Sequence, residues 1–411
     1  MLSRCILASF ALALTPTLAL QAADWPQFRG PARDGVSKEK GLLQSWPEKG
    51  PPLEWTATGI GGGYSTVSVS GDRIYTLGNR GKDSHVVAIN RADGKVVWTA
   101  AVGPAGGSLG CTPTVDRDRV YALGQMGDLV CIDRDGKTVW QRNLAKEFGG
   151  QKGGWNYCES PLVDGDRVIV TPGGKEATMV ALDKATGKEI WRCPIDTKHT
   201  EAGYSSVVVA NIGGIRHYVQ LFNGGLVGVS LDGRVLWKHE KLGGNTANVP
   251  TPIVMGDTIF SSIGYGRGAS LLHLTVTDGR ITVREVYYAR ELTNKHGGVI
   301  QVGDYVYGDT DDSGHPYCAE VKTGKVIWKR QDEGTGRGSA SVTFADGRLY
   351  FHYDNGTMAL VDPSPGGYRE VGSFQAPRRN GPSWAHPVVC DGRLYLREGD
   401  VLYCYDVRAR R

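Results

Sequence analysis

One phrase recurs along this 411-residue chain and limits what it can fold into. It reads "AINRADGKVVW" ending at Trp98, "CIDRDGKTVW" at Trp140, "ALDKATGKEIW" at Trp191, "VSLDGRVLW" at Trp237 and "AEVKTGKVIW" at Trp328. Each copy is a short apolar run, a polar turn with glycine, and a second run closed by an indole. The doubled gap between Trp237 and Trp328 contains "TVTDGRITV", ending at Val283 where a copy is due. The slot after Trp328 falls at Val371, and "PPLEWTA" supplies Trp55 upstream. The eight slots stand 42 to 51 residues apart. That is the period of a supersecondary unit that cannot bury its apolar face alone and must stack on its neighbours.

A second phrase precedes each slot, from "STVSVSGDRIYTLG" to "AHPVVCDGRLYLRE". It alternates Val, Ile and Tyr around a Gly-Asp type turn, the pattern of a hairpin. The two phrases give four short antiparallel strands per repeat, with no helical period between them. Four-stranded units of this length read as propeller blades. The last repeat stops after three strands, whereas "LEWTA" is one strand without partners. Joined, they form an eighth blade that closes the ring and removes its exposed edges. The expectation is therefore an all-β, eight-bladed propeller of four-stranded antiparallel blades over residues 52–407, its last blade closed by an N-terminal strand. Trp55, Trp98, Trp140, Trp191, Trp237 and Trp328 are expected to dock blade against blade. The 58 glycines, without a collagen period, suit the many turns.

The flanking segments carry their own signals. Residues 1–23 hold Arg4, an apolar run broken by Pro16, and the small residues Ala22 and Ala23, which together read as a secretory leader. Export to the periplasm or beyond is expected. Cys5 precedes the apolar run instead of following it, so a lipoprotein is not expected, and no later run reaches membrane-spanning length. Residues 24–51, rich in Pro, Gly and charge but carrying Trp25, Phe28 and Trp46, read as an arm packed along the outside of the ring. Residues 408–411 read as a basic tail. With 47 cations against 43 anions and no basic stripe, nucleic acid is a poor partner. The other seven cysteines, Cys111, Cys131, Cys158, Cys193, Cys318, Cys390 and Cys404, show no C-x-x-C spacing. They read as small buried hydrophobes, with one or two disulfides left open.

The tryptophan phrases resemble the docking repeats of the PQQ-like propellers, which include the quinoprotein alcohol dehydrogenases and the cofactor-free BamB scaffolds. The stretches "DWPQFRGPARDGV", "GGWNYCESPLVDGDRVIVTPGGK" and "SWAHPVVCDGRLYLRE" are similar to a bacterial exported branch of that family. The resemblance implies that each indole locks neighbouring blades. A quinoprotein member holds PQQ over the ring centre, with calcium, a Glu–Asn–Asp set and a vicinal Cys–Cys disulfide. Here Cys158 is followed by Glu159 and no such pair exists. The leading expectation is therefore a non-enzymatic scaffold or recognition module of the bacterial envelope, without a cofactor, that meets a protein or a small polar ligand. The alternative is a PQQ- and calcium-dependent dehydrogenase of an alcohol or sugar. In that case Glu159, Asn156 and Asn248 would stand near the metal, and Arg337 and Trp384 near the quinone.

In a propeller the loops entering the first strand of each blade gather at one mouth of the channel. Here they offer Tyr64, Trp155, Asn156, Glu159, Tyr204, Asn245, Asn248, Lys295, His296, Arg337, Trp384 and His386. Aromatics and amides converging on a concave mouth suit a polar planar or sugar-like ligand. Apart from that mouth, "DTDDSGHPYCAE" spaces Asp309, Asp311, Ser313 and Glu320 like a calcium loop. Its setting between two strands, and Pro316 within it, favour an ordinary solvated turn. Phosphate-loop, Ser-hydrolase and zinc-protease motifs do not occur.

Overall fold

The structure is a computed structural model and describes residues 24–107, 110–244, 248–311, 313–331, 334–377 and 381–409. It contains eight sheets, each with four antiparallel strands that are consecutive or ring-closing, and blade 7 takes Val36–Ser37 as a fifth, parallel strand. Blades 1 to 7 begin at Ser68, Thr114, Leu162, Val208, Ile253, Val299 and Ala340 and end at Pro104, Asn143, Cys193, His239, Ala289, Lys329 and Gln375. Blade 8 takes Val388–Cys390, Arg393–Glu398 and Val401–Asp406 from the C-terminal end. Leu53–Thr58 completes it, pairing Trp55 with Cys404 and Thr58 with Val401. The expected closure is thus present. First strands of successive blades lie side by side and line the channel. One short helix, Leu144–Phe148, capped by Asn143 and ended by Gly149, interrupts the expected all-strand pattern.

The recurring phrase has a physical reason. In every outer strand the ladder slips by one residue just before the indole: Thr138 faces Ile132, but Trp140 already faces Cys131. This β-bulge leaves Val139 unpaired and kinks the strand, which re-aims the next side chain. Trp140 turns towards blade 3, and its Nε1 donates to Lys184 O at 2.9 Å. Trp98, Trp191 and Trp328 repeat the bond to Arg134, Leu231 and Ser364 carbonyls. The glycine of the next blade's turn lies under the ring. A Cβ on Gly187 would sit 2.7 Å from Trp140, and Gly136, Gly233 and Gly94 face Trp98, Trp191 and Trp55 in the same way. In blades 1, 2, 6 and 8 the bulge register also aligns the indole, a small residue and a tyrosine across three strands, as in Trp140–Cys131–Tyr121. Cys318 and Cys404 occupy the same place. These cysteines are space-limited spacers, and none of the seven described cysteines forms a disulfide.

Three slots depart from expectation. In blade 5 the bulge places Tyr287, not Val283, in the indole register, and Tyr287 lies against Gly324 with its hydroxyl on Val321 O. In blade 4, Trp237 sits among Ile259 and Leu272 of blade 5, but its Nε1 donates to His217 of its own blade. In blade 7, Val371 is the extra residue of the bulge and Gly372 takes the indole register. Trp46 of the arm covers Gly372 and meets Tyr350 at 5.6 Å, so the arm supplies the missing tryptophan.

The arm also corrects the expectation that it runs along the outside. Only its second half does so, through Trp46 and the pairing of Leu42 with Arg408, which also forms ion pairs with Glu54 and Asp406. Residues 25–37 cross the channel. Trp25 pairs with Val69 of blade 1, and Pro26 O accepts from Val115 of blade 2. The Arg33 guanidinium donates to Ser160 O and Val207 O at 3.0 Å each, and to Pro161 O. Arg29 donates to Val299 O, and Val36–Ser37 runs parallel to Phe344–Ala345. The reason is a shortage of partners. First strands are open along the channel, so their inward carbonyls need donors, and a forked guanidinium supplies several at once.

Candidate functional site

The arm turns the channel into a cup of about 380 Å³. Phe28 forms part of the floor, and the walls come from the loops that lead into the first strands. Tyr64, Trp155, Tyr204, His296, Trp384 and His386 all line it, as expected from the sequence. The rings form two walls. Trp384 lies 4.8 Å from Tyr64 and 5.3 Å from His296. Trp155 lies 5.1 Å from Tyr204 and 6.2 Å from Tyr265. Lys295 bridges the walls, its Nζ 5.1 Å from the Trp384 ring centre and 5.7 Å from that of Tyr265. Tyr265 is held in a left-handed conformation, φ 55°. The Asp311 carboxylate fixes that turn by accepting from Tyr265 N and Gly266 N at 3.0 and 2.9 Å.

The deeper layer is a stair of hydroxyls. Thr66 N donates to Thr112 Oγ1, Thr112 N to Ser160 Oγ and Ser160 N to Ser206 Oγ, at 3.2, 3.0 and 2.9 Å. Each of these residues stands two places before its blade's first strand, so one blade's backbone is tied to the next blade's side chain. That shared position is legible in the repeats, but a small hydroxyl there reads equally as an ordinary strand-entry residue. Phe28 was missed because the arm was placed outside. Tyr265 was missed because "GYGRG" reads as a plain turn. His386 packs edge-on against Phe28 at 5.0 Å. Burial, then the charges of Arg29 and His296, push its pKa well below the usual imidazole value, so it stays neutral.

Four expected residues do not line the cup. Glu159 is buried behind the wall, where it accepts from Thr171 N, Thr171 Oγ1 and Gln220 Nε2. Burial pushes its pKa up to about 7, against the lowering effect of Thr171 and Arg33. Asn156 holds Gly106 O and Lys152, and Asn248 donates to Asn223. Arg337 is exposed and folds back on Gly334 O and Gly336 O. Asn245 lies outside the described residues. The calcium-loop spacing is not gathered in space either: Asp309 faces Pro316 while Glu320 faces Tyr305, at opposite ends of one hairpin. Among the described residues no three His, Cys, Asp or Glu side chains converge as a metal site.

A calcium-bound quinone would need six to eight oxygen ligands beside its plane. Among the described residues no carboxylate lines the cup, and both oxygens of Glu159 are engaged behind it. The aromatic walls suit a flat ring, but the donor set does not fit the metal.

Comparison with known proteins agrees with the propeller and spans both chemistries. The chain is 29% identical to the outer membrane protein assembly factor BamB of Salmonella typhimurium, over 80% of this chain and 93% of that one. It is 31% identical to the dehydrogenase subunit of a quinone alcohol dehydrogenase of Komagataeibacter europaeus, over 26% of this chain and 17% of that one. The match spans less than half of that relative and 49% of the Kangiella koreensis BamB. The crystal structure of quinohemoprotein alcohol dehydrogenase from Comamonas testosteroni superimposes with a TM-score of 0.62 at 15% identity, covering 96% of this chain and 82% of that one, a likeness of fold. Among the described residues no helix is long and apolar enough to cross a membrane. The family model PQQ_2, described as outer membrane protein assembly factor BamB, matches residues 82–330, and the chain belongs to that family of propellers.

Proposed function

We propose that this protein is an exported, non-enzymatic recognition module of the bacterial envelope, and that it binds a small polar ligand in the aromatic cup at the channel mouth. One observation carries the reading: the chain's own arm closes the channel from one side and leaves a walled cup with stacking surfaces, hydroxyls and the Lys295 ammonium. The leader-like residues 1–23 support export, and the rigid ring with variable mouth loops suits recognition. The kinship with BamB supports a scaffold role for the outer faces of the ring.

The dehydrogenase reading draws on the kinship with quinoproteins and on Trp384 and Trp155 as stacking surfaces. Against it stands the absence of any acidic side chain among the described residues of the cup lining. No step through a quinone is therefore derived. The test adds PQQ and calcium to the purified protein and follows binding by calorimetry and alcohol or sugar oxidation by a dye-linked assay. The expected result is no calcium-dependent binding and no turnover. Tight binding with turnover would replace this reading by the dehydrogenase.

A further inference from the structure

We infer that the cup selects an anionic ligand: a carboxylate or other oxyanion set down on the hydroxyl stair, carried by a flat or ring-shaped body between the Trp384 and Trp155 walls. This rests on the cup being a ligand site and goes beyond it by fixing the ligand's charge.

The hydroxyl stair points to an acceptor-rich ligand. Thr112, Ser160 and Ser206 each receive a backbone N–H through the oxygen. None of the three donates its own hydrogen to an acceptor among the described residues, so three O–H donors remain for whatever fills the cup. The second observation is buried positive charge beneath that stair. Arg29 and Arg33 are 2% and 4% exposed, and among the described residues no carboxylate lies within 4 Å of either, although the charges of Asp34 and Glu159 reach them from farther off. Arg33 rests on neutral carbonyls, and Nε and Nη1 of Arg29 have no hydrogen-bond partner. Buried charge is costly unless opposite charge compensates it, and a low-dielectric channel projects its field along the axis. Burial itself lowers the two guanidinium pKa values only to about 10 and about 9, so both stay charged at neutral pH. Arg29's charge also acts on His386, so the field reaches the lining.

Among the described residues the lining adds no carboxylate, and Lys295 is its one lysine or arginine; Glu159 and Asp311 bond Thr171 and the Tyr265 turn. A quaternary ammonium ligand would want the face of Trp384 free of cations, yet Lys295 lies over it. A neutral sugar would use the walls but would add nothing to the partial compensation that Asp34 and Glu159 give.

Two matched pairs of probes test this: 2-naphthoate against 2-naphthalenemethanol, and D-glucuronate against D-glucose. Each pair keeps the ring body and exchanges a carboxylate for an uncharged hydroxymethyl group. Calorimetric titration is run on the full chain and on the Trp384→Ala and Lys295→Gln variants, with circular dichroism as the control for folding. The acid of at least one pair is expected to bind about tenfold or more tighter than its neutral partner, the value of one charge-assisted hydrogen bond. Trp384→Ala is expected to weaken both members, and Lys295→Gln to shrink the ratio. The pair that responds tells an aromatic body from a sugar. Equal or tighter binding of the neutral members, still dependent on Trp384, would overturn the anion inference and leave the cup as a ligand site. No Trp384-dependent binding of any probe would overturn both.

Discussion

If the indole–glycine contact joins the blades, Trp140 and Gly187 must be coupled energetically, and the structure sets the sign. Trp140 is 8% exposed, meets Tyr121 at 6.0 Å and bonds Lys184 O, so Trp140→Ala should cost about 3–5 kcal/mol. Gly187→Ala carries two separate costs. Its φ of 69° costs an L-residue roughly 1–2 kcal/mol, and its new Cβ would lie 2.7 Å from the Trp140 ring, an overpacking of about 1–3 kcal/mol. Removing the indole first relieves the second cost and leaves the first. The double variant should therefore lose about 1–3 kcal/mol less than the sum of the single variants. Guanidinium-induced unfolding followed by circular dichroism measures all four corners of the cycle. Additivity within about 0.5 kcal/mol would refute a direct contact, because independent sites behave that way.

Four further outcomes are expected. Trp46→Ala should cost about 3–5 kcal/mol in the same unfolding assay although it lies outside the repeats, since it fills the indole place of blade 7; a loss below about 1 kcal/mol would contradict that role. Glu159 has a folded-state pKa of about 7 against 4.5 ordinarily, so the folded form holds the extra proton and stability should fall by about 3 kcal/mol as pH rises from 4.5 to 7. Glu159→Gln should flatten that part of the stability profile, and an unchanged slope would show that another group causes it. Asp311→Ala should release the Tyr265 turn, weakening probe binding while changing the unfolding free energy by about 1 kcal/mol; unchanged binding would mean that Tyr265 is not part of the wall. Calcium chelation should leave the unfolding midpoint unchanged, whereas a clear drop would restore the Asp309–Glu320 loop as a metal site.

The frame was legible because each blade repeats the same local chemistry. Gly136 and Trp140 already stated the turn and the contact, and the unfinished last repeat stated the closure. What stayed hidden depends on relations between distant segments. The arm's guanidinium groups find carbonyls of blades 3, 4 and 6 only once the ring exists, so nothing local to Arg33 marks it as a channel residue. Likewise Trp46 substitutes for a side chain that Gly372 lacks, more than 300 positions away. At the cup, the aromatic residues announced themselves, whereas Glu159 and Asn248 looked equally suited and proved to be buried partners of Thr171 and Asn223. A polar residue next to a mouth can face the mouth or tie the wall together, and the strand register decides which.

The most direct measurement is a crystal structure of the protein with the tightest of the four probes bound. The expected density shows residues 25–37 across the channel, the probe's ring between Trp384 and Trp155, and its acid group within hydrogen-bond distance of Ser160 and Ser206. An arm lying outside the ring, or a probe bound anywhere but in the cup, would contradict the account.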